Sequence, residues 1–528
     1  MTLIEKICAY KKGEKMAKSQ LRIGVVLSYI NMAIGTLIPM FYTPIMLDLL
    51  GQSEYGLFKL SSSVTSYLGL ISFGIGSAVV RYLTKNRAEG DKDGEEGIFA
   101  LFNVIFRVIS GIALVAGIAI TFFIDSIYGN AIEANQIAEM RILVLILSCN
   151  TALSFLCSPY NSVVTSHERF LFLQTINILT TVATPIVNLI VLFLGYKSIG
   201  MVASSFAMSI VVQIAYFIYV RKSIGLKPNY KNMPKFLLKE IFVFSFWVFV
   251  ANIVNQLYNS TDTLIIGAIP ALATIGVAVY NIGATFPSMM MSFSVGLLSV
   301  LTPKVNGMVF SGSDNSQLTD LMIRVGRLQC YIVTIVCSGF IVFGTNFIKL
   351  WAGAGYEEAY WVAIATMIPS CIPLIQNVAI NVIIAQNKHR FRSLILLLIA
   401  IINVVGTILL VNPFGIVGAA LVTGGATVLG QGFIMNWYYW KNIGLEIPRF
   451  WKEIVKMFVF PTILCVLSLL VKQYVVLDKW IWLLLAILIY TLVFIIFNWF
   501  FVMNDYEKDI FRGPIRKIIN KFKRQGAK

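Results

Sequence analysis

The chain has 528 residues, of which 58% are hydrophobic and only 13% charged, and its mean hydropathy is +0.81. Soluble domains run to about 45–50% apolar and about 25% charged residues, so this composition excludes a water-soluble enzyme or binding module and calls for a bilayer. The net charge of +17 then becomes a question of which side of the membrane the lysines and arginines occupy.

Residues 1–22 are basic and lack the short apolar core and cleavage site of a signal peptide, so the first span is expected to be retained. Apolar runs long enough to cross a membrane then follow one another. They predict fourteen spans, at 23–46, 57–80, 100–124, 138–160, 171–194, 199–220, 240–262, 276–300, 326–348, 360–385, 393–411, 415–439, 452–471 and 480–503. The chain closes on a basic tail, 504–528, in which Ile515, Ile518, Ile519 and Phe522 share one helical face amid lysines and arginines. Such a face suits anionic membrane lipid.

Placing the N-terminus inside puts 34 Lys and Arg in inner segments. Only Lys197, Lys349, Lys472 and Lys479 then fall in outer loops. That bias predicts both termini in the cytoplasm and explains the net charge without nucleic acid. The seven cysteines show no CxxC spacing, and His167 and His389, the two histidines, have no further ligands at metal spacing. No metal and no cofactor are expected.

The chain also repeats itself. "SFGIG" (72–76) returns as "SFSVG" (292–296), and "NSVVTSHERF" (161–170) as "NVIIAQNKHRF" (381–391), at an offset near 220 residues. "GMVASS" (200–205) returns as "GIVGAA" (415–420). The correspondence runs through six spans, so both copies begin on one side of the membrane, as in transporters built from parallel repeats. The expected architecture is an all-α integral membrane protein. An N-lobe (23–228, spans 1–6) and a C-lobe (229–448, spans 7–12) are followed by two further helices (449–503).

Span 7 places Asn252, Asn255, Gln256, Asn259 and Asp262 on one helical face. Span 1 carries Ser28, Asn31 and Tyr42 on a similar face, span 2 carries Lys59, Ser62, Ser63 and Ser66, and span 8 carries Asn281, Thr285, Ser288 and Ser292. Span 10 adds Gln376, Asn377 and Asn381. Polar faces on spanning helices avoid lipid. They either bond helix to helix inside a plain bundle or line a hydrated cavity, and their recurrence in matching spans favours the cavity. Between spans 1 and 2, "LDLLGQSEYGLFKL" (47–60) gathers Asp48, Glu54 and Lys59. The carboxylates there are expected in a solvated outer turn, with Lys59 at the head of the serine face.

"LGQSEYGLFKL" resembles the LG-x-x-x-YG signature that follows the first span in O-antigen and other polysaccharide flippases. These belong to the multidrug/oligosaccharidyl-lipid/polysaccharide exporter superfamily, and the resemblance covers about residues 20–450. It implies translocation of an undecaprenyl-diphosphate-linked oligosaccharide from the inner to the outer leaflet through a cationic cavity between two lobes. Polysaccharide polymerase and glycosyltransferases would be partners in the same pathway. Two departures matter. Asp48 stands where many relatives carry Arg, and "INMAIGTLIPMFY" lacks the Gly-Phe-x-Arg-Asp element usual in lipid II flippases.

A diphosphate in a membrane needs fixed cations. Arg107 and Arg327, 220 residues apart and hence equivalent in the two copies, are the candidates for bidentate phosphate contacts. Each could equally be an inner interfacial anchor. Lys59 is a further candidate cation, and Asp262 the candidate for ion coupling. A cation-coupled drug or metabolite antiporter, or a lipid II flippase, of the same superfamily is the nearest alternative. A membrane enzyme of polysaccharide assembly is disfavoured, since the outer connections run to only about a dozen residues and no histidine lies within a span. The chain contains no GxxxxGK[ST] motif, so transport would draw on gradients.

Overall fold

The computed structural model describes residues 3–510 and 512 except 300, 301, 313 and 387, and places the side chains of these from Leu27 onward except those of 247, 293, 295–299, 302–304, 389 and 390. The amphipathic face expected in the tail lies outside the described residues. The described chain is helical, and no strand occurs among those residues. A membrane-spanning backbone must satisfy its polar groups internally, and helices do so within one segment.

The helices run in order α1 (Leu3–Leu50), α2 (Gln52–Ser66), α3 (Ile75–Glu89), α4 (Lys92–Tyr128), α5 (Ala134–Ser166), α6 (Phe170–Phe193) and α7 (Lys197–Tyr219). After a loop follow α8 (Leu238–Gly267), α9 (Ala273–Ser299), α10 (Thr302–Phe310), α11 (Asn315–Trp351), α12 (Ala359–Ile375), α13 (Asn377–Ala385) and α14 (His389–Thr427). The last are α15 (Met435–Tyr438), α16 (Ile447–Val455), α17 (Val459–Lys472) and α18 (Trp480–Phe497).

Among the described residues eleven helices are long and apolar enough to cross a membrane, and the bent pair α12–α13 makes a twelfth. One of the eleven, Phe391–Ile443, holds two predicted spans. They meet at Gly415, whose φ of 59° and ψ of −149° break the helix in a region that favours glycine. Helix α9 covers the span expected at 276–300. About fourteen spans are thereby accounted for.

The predicted second span is not one rod. Helix α2 ends in a 3-10 turn over Tyr67–Ser72, and Phe73 (φ 49°) and Gly74 (φ 68°) turn left-handed before α3 begins. The repeat equivalent of Gly74 is Ser294, and there α9 continues unbroken. The two copies of "SF-x-x-G" therefore have different backbones, because glycine accepts the left-handed turn at no steric cost and serine does not.

Two compact units are present, one comprising residues 1–282 with 400–422 and the other 283–399 with 423–528. The first is built around the fully buried Phe99, Phe102 and Phe106 of α4, packed with Ile75 and Leu83 of α3 and Val163 and Val164 of α5. In the second, Val342 and Phe343 of α11 pack against Cys465 of α17 and Leu483 and Tyr490 of α18. The two helices beyond the repeat are thus part of a core.

Candidate functional site

Helix α8 carries the polar face expected from its sequence. Asn255 and Asn259 are exposed, and Asn252 and Gln256 are half-buried. The Asn259 amide donates to the Asn255 carbonyl at 2.7 Å. Gln256 donates to Ser260 at 2.9 Å and also to Ser66 of α2. Tyr67 and Thr261 share a hydrogen bond of 2.8 Å. One edge of the face therefore bonds helix to helix, and the Asn255–Asn259 edge stays open.

Below that edge Asp262 is 3% exposed. The Tyr280 hydroxyl donates to its Oδ2 at 2.5 Å and the Thr407 hydroxyl to its Oδ1 at 3.0 Å. Thr407 also lies 3.1 Å from the Asn403 side-chain oxygen. Asp262 was legible as a candidate, but its partners were not. Asn403 and Thr407, four apart in an otherwise apolar span, were the available signal.

The candidate cations sit in unlike surroundings. Lys59 lies over the rings of Tyr55 and Phe58, 5.5 and 5.8 Å from their centroids. Arg107 is exposed, donates to the Tyr230 hydroxyl at 2.8 Å, and stacks over that ring. No carboxylate pairs with either among the described residues. Arg327 is different. Its Nε donates to Glu507 Oε1 at 2.5 Å, and its Nη2 to Glu507 Oε2 at 3.0 Å and to the Val502 carbonyl at 2.9 Å. Glu507 also accepts from Tyr331 and from the Asn504 backbone. This is a bidentate, buried pair. The two repeat-equivalent arginines thus differ, one neutralised and one open.

Other expected residues fall in several places. The Asn31 side-chain oxygen is 3.4 Å from the Thr181 hydroxyl. Gln376 is fully buried and donates to the Gln431 carbonyl at 2.9 Å, which is interhelical bonding and not a cavity wall. Asp48 is exposed. Glu54 is half-buried and accepts from the Ser198 backbone at 3.3 Å, while the Ser198 hydroxyl donates to Glu139 at 3.2 Å. Two carboxylates thus meet the first turn of α7, where the helix dipole favours negative charge. The sequence reading passed over Glu139, which stands at the very start of the fourth predicted span, beside Arg141.

Helix α2 also meets the first turn of α9 and the end of α8. Ser53 and Thr274 share a hydrogen bond of 2.8 Å, and Gln136 donates to Ser53 at 2.7 Å. Gly267 faces Leu60, and a Cβ on it would lie 2.6 Å from that side chain.

Residues 45–361 match the family model described as "Polysaccharide biosynthesis protein". The chain belongs to that family. A curated relative, the uncharacterized membrane protein EpsK of Bacillus subtilis (strain 168), is 19% identical over 427 residues, covering 80% of this chain and 83% of its own. The fold is similar to that of the lipid II flippase MurJ in an inward closed conformation, with a TM-score of 0.68 at 17% identity over 90% of this chain and 98% of that one. It is also similar to an inward-facing multidrug resistance MATE family transporter of the MOP superfamily, with a TM-score of 0.61 at 13% identity, covering 80% of this chain and 99% of that one. This member of the polysaccharide biosynthesis family is thus a multi-pass membrane protein, helical throughout its described residues outside short loops, with a fold similar to those of that flippase and that transporter.

Proposed function

We propose that the protein moves an undecaprenyl-diphosphate-linked oligosaccharide from the inner to the outer leaflet of the bacterial cytoplasmic membrane by alternating access, with both termini in the cytoplasm. The observation that carries this reading is Arg107, an exposed guanidinium with a phenol and no carboxylate beside it among the described residues. In a chain of the polysaccharide biosynthesis family, a diphosphate is the natural counter-ion for such a group. Lys59, Asn31, Asn252, Asn255, Gln256 and Asn259 supply a polar route along the same unit. Arg327, already held by Glu507, does not offer an open cation in the same way. Glycosyltransferases and a polymerase would make and consume the lipid-linked substrate.

A second reading is supported by Asp262, a buried carboxylate that accepts from the Tyr280 and Thr407 hydroxyls. A buried carboxylate held this way suits a proton or Na⁺, which would couple transport of this or a smaller solute. Vesicles holding a fluorescent lipid-linked oligosaccharide separate the two. Flipping that depends on Arg107 supports the lipid-linked substrate. Ion-dependent efflux of cationic dyes with no flipping would support the antiporter.

A further inference from the structure

His167 and Glu95 meet where the end of α5 packs against the first turn of α4. Glu95 is 6% exposed, and its Oε1 accepts no hydrogen bond from any described group. That oxygen lies 3.5 Å from His167 Nε2, in a ring whose side chain is 15% exposed. The other ring nitrogen, Nδ1, is 3.0 Å from the Val163 carbonyl. A carbonyl only accepts, so Nδ1 carries a hydrogen. In a neutral ring Nε2 then presents a lone pair to Glu95, and an ionised carboxylate would present another. Two acceptors cannot face each other in a buried site without cost. A proton is required between them.

The surrounding charges decide where it sits. Arg87 of α3 donates to the Ser166 carbonyl at 2.6 Å, beside the ring. Arg87 and Arg169 both oppose a positive imidazole, and burial opposes it more, so His167 is held below the ordinary histidine range. The charges acting on Glu95 are Arg87, Glu96 and Lys92. Asp91 is occupied in capping α4 through Gly94. The 229–232 segment, tied to the Glu96 carbonyl by the Asn229 N–H, brings only the exposed Lys231.

We propose that Glu95 and His167 form a proton-binding site, with the proton on the Glu95 carboxyl, donated to His167 Nε2, and a neutral Nδ1–H imidazole. The site pins the start of α4 to the end of α5 while the proton is held, and loosens that contact when the proton leaves. The second copy lacks it, since the residue 220 positions after Glu95 is Asn315. The site thus senses pH in the compartment that bathes this end of the first unit.

His389 is the one other histidine, so a His389→Gln chain has a single imidazole. Nitrogen-15 NMR of that chain in lipid nanodiscs should show a neutral Nδ1–H tautomer at pH 7, titrating below the ordinary histidine midpoint of about 6.5. Infrared spectra at pH 7 should contain a protonated-carboxyl stretch that is lost in Glu95→Gln and shifted in His167→Gln. An imidazolium at pH 7 would overturn the proposal in favour of an ion pair. An ordinary titration with no Glu95-dependent band would overturn it in favour of no shared proton. The NMR experiment leaves both residues of the site intact, so it decides even if Glu95→Gln fails to fold.

Discussion

Gly56 lies so close to Thr274 that a Cβ built on it would stand 1.7 Å from the Thr274 carbonyl oxygen. The obstacle is backbone and cannot rotate away. Gly56 belongs to the "YG" of "LGQSEYGLFKL", so that part of the motif has a steric reason: α2 and the first turn of α9 touch backbone to backbone there. Gly56→Ala should separate them and lower stability by about 1–3 kcal/mol, the usual cost of overpacking. Thermal unfolding in detergent checks this, with Gly69→Ala, which meets nothing within 4 Å, as the control. Equal melting of the two variants would refute the close contact.

The unlike surroundings of the two arginines predict unlike phenotypes. Arg107→Ala should abolish flipping while leaving expression and melting intact, and Arg107→Lys should rescue only in part. Arg327→Ala should instead destabilise the protein by roughly 3–5 kcal/mol, because it leaves Glu507 buried without its cation. Replacing both Arg327 and Glu507 with apolar residues should restore much of that loss. Flipping assays beside melting curves separate the two effects.

Asp262→Asn keeps the size of the side chain but not its charge. Flipping in vesicles should retain its acceleration by an imposed potential, worth roughly 2.3 kcal/mol per charge per 100 mV. Any dependence on a proton or Na⁺ gradient should disappear. Persistence of an ion dependence in the variant would remove Asp262 from the coupling role.

The charge bias of the loops predicts topology. A phosphatase reporter active only in the periplasm should work when fused near Ala273 and fail near Lys388 or after Lys528. Activity at the last position would reverse the orientation.

The Glu95–His167 proton predicts a pH dependence of stability. The folded site holds one proton, on Glu95, whereas the unfolded histidine gives up its proton near pH 6.5. Just below that pH the two states bind equal numbers of protons, and above it the folded state binds one more, so stability falls as pH rises through about 6.5 until the site's proton leaves. Glu95→Gln should reverse the sign, because burial alone then keeps His167 neutral and stability is lost as pH drops through about 6.5. Melting across pH 5 to 8 is the measurement.

The helical spans were legible because apolar length alone reports a bilayer crossing, and the polar face of α8 because its asparagines fall at three- and four-residue spacing. The interruption at Phe73–Gly74 was not, since "SFGIG" and "SFSVG" read alike until one glycine takes a left-handed backbone and the matching serine does not. The equivalence of Arg107 and Arg327 was visible in the repeat. Their divergence was not, because the partner that sets Arg327 apart lies 180 residues away in a segment outside the repeat. Glu54 read as a solvated loop carboxylate for a similar reason. Its contact with Ser198 depends on how α7 begins, which local pattern does not report.

The Arg327–Glu507 pair also has a temporal side. The arginine is synthesised 180 residues before its carboxylate, roughly ten to forty seconds at a ribosome adding 5–20 residues per second. Until Glu507 is made, Arg327 lacks the carboxylate that pairs with it in the folded protein. A chain stalled before Glu507 would therefore carry that guanidinium unpaired, so completion of this contact waits on the segment made after α18.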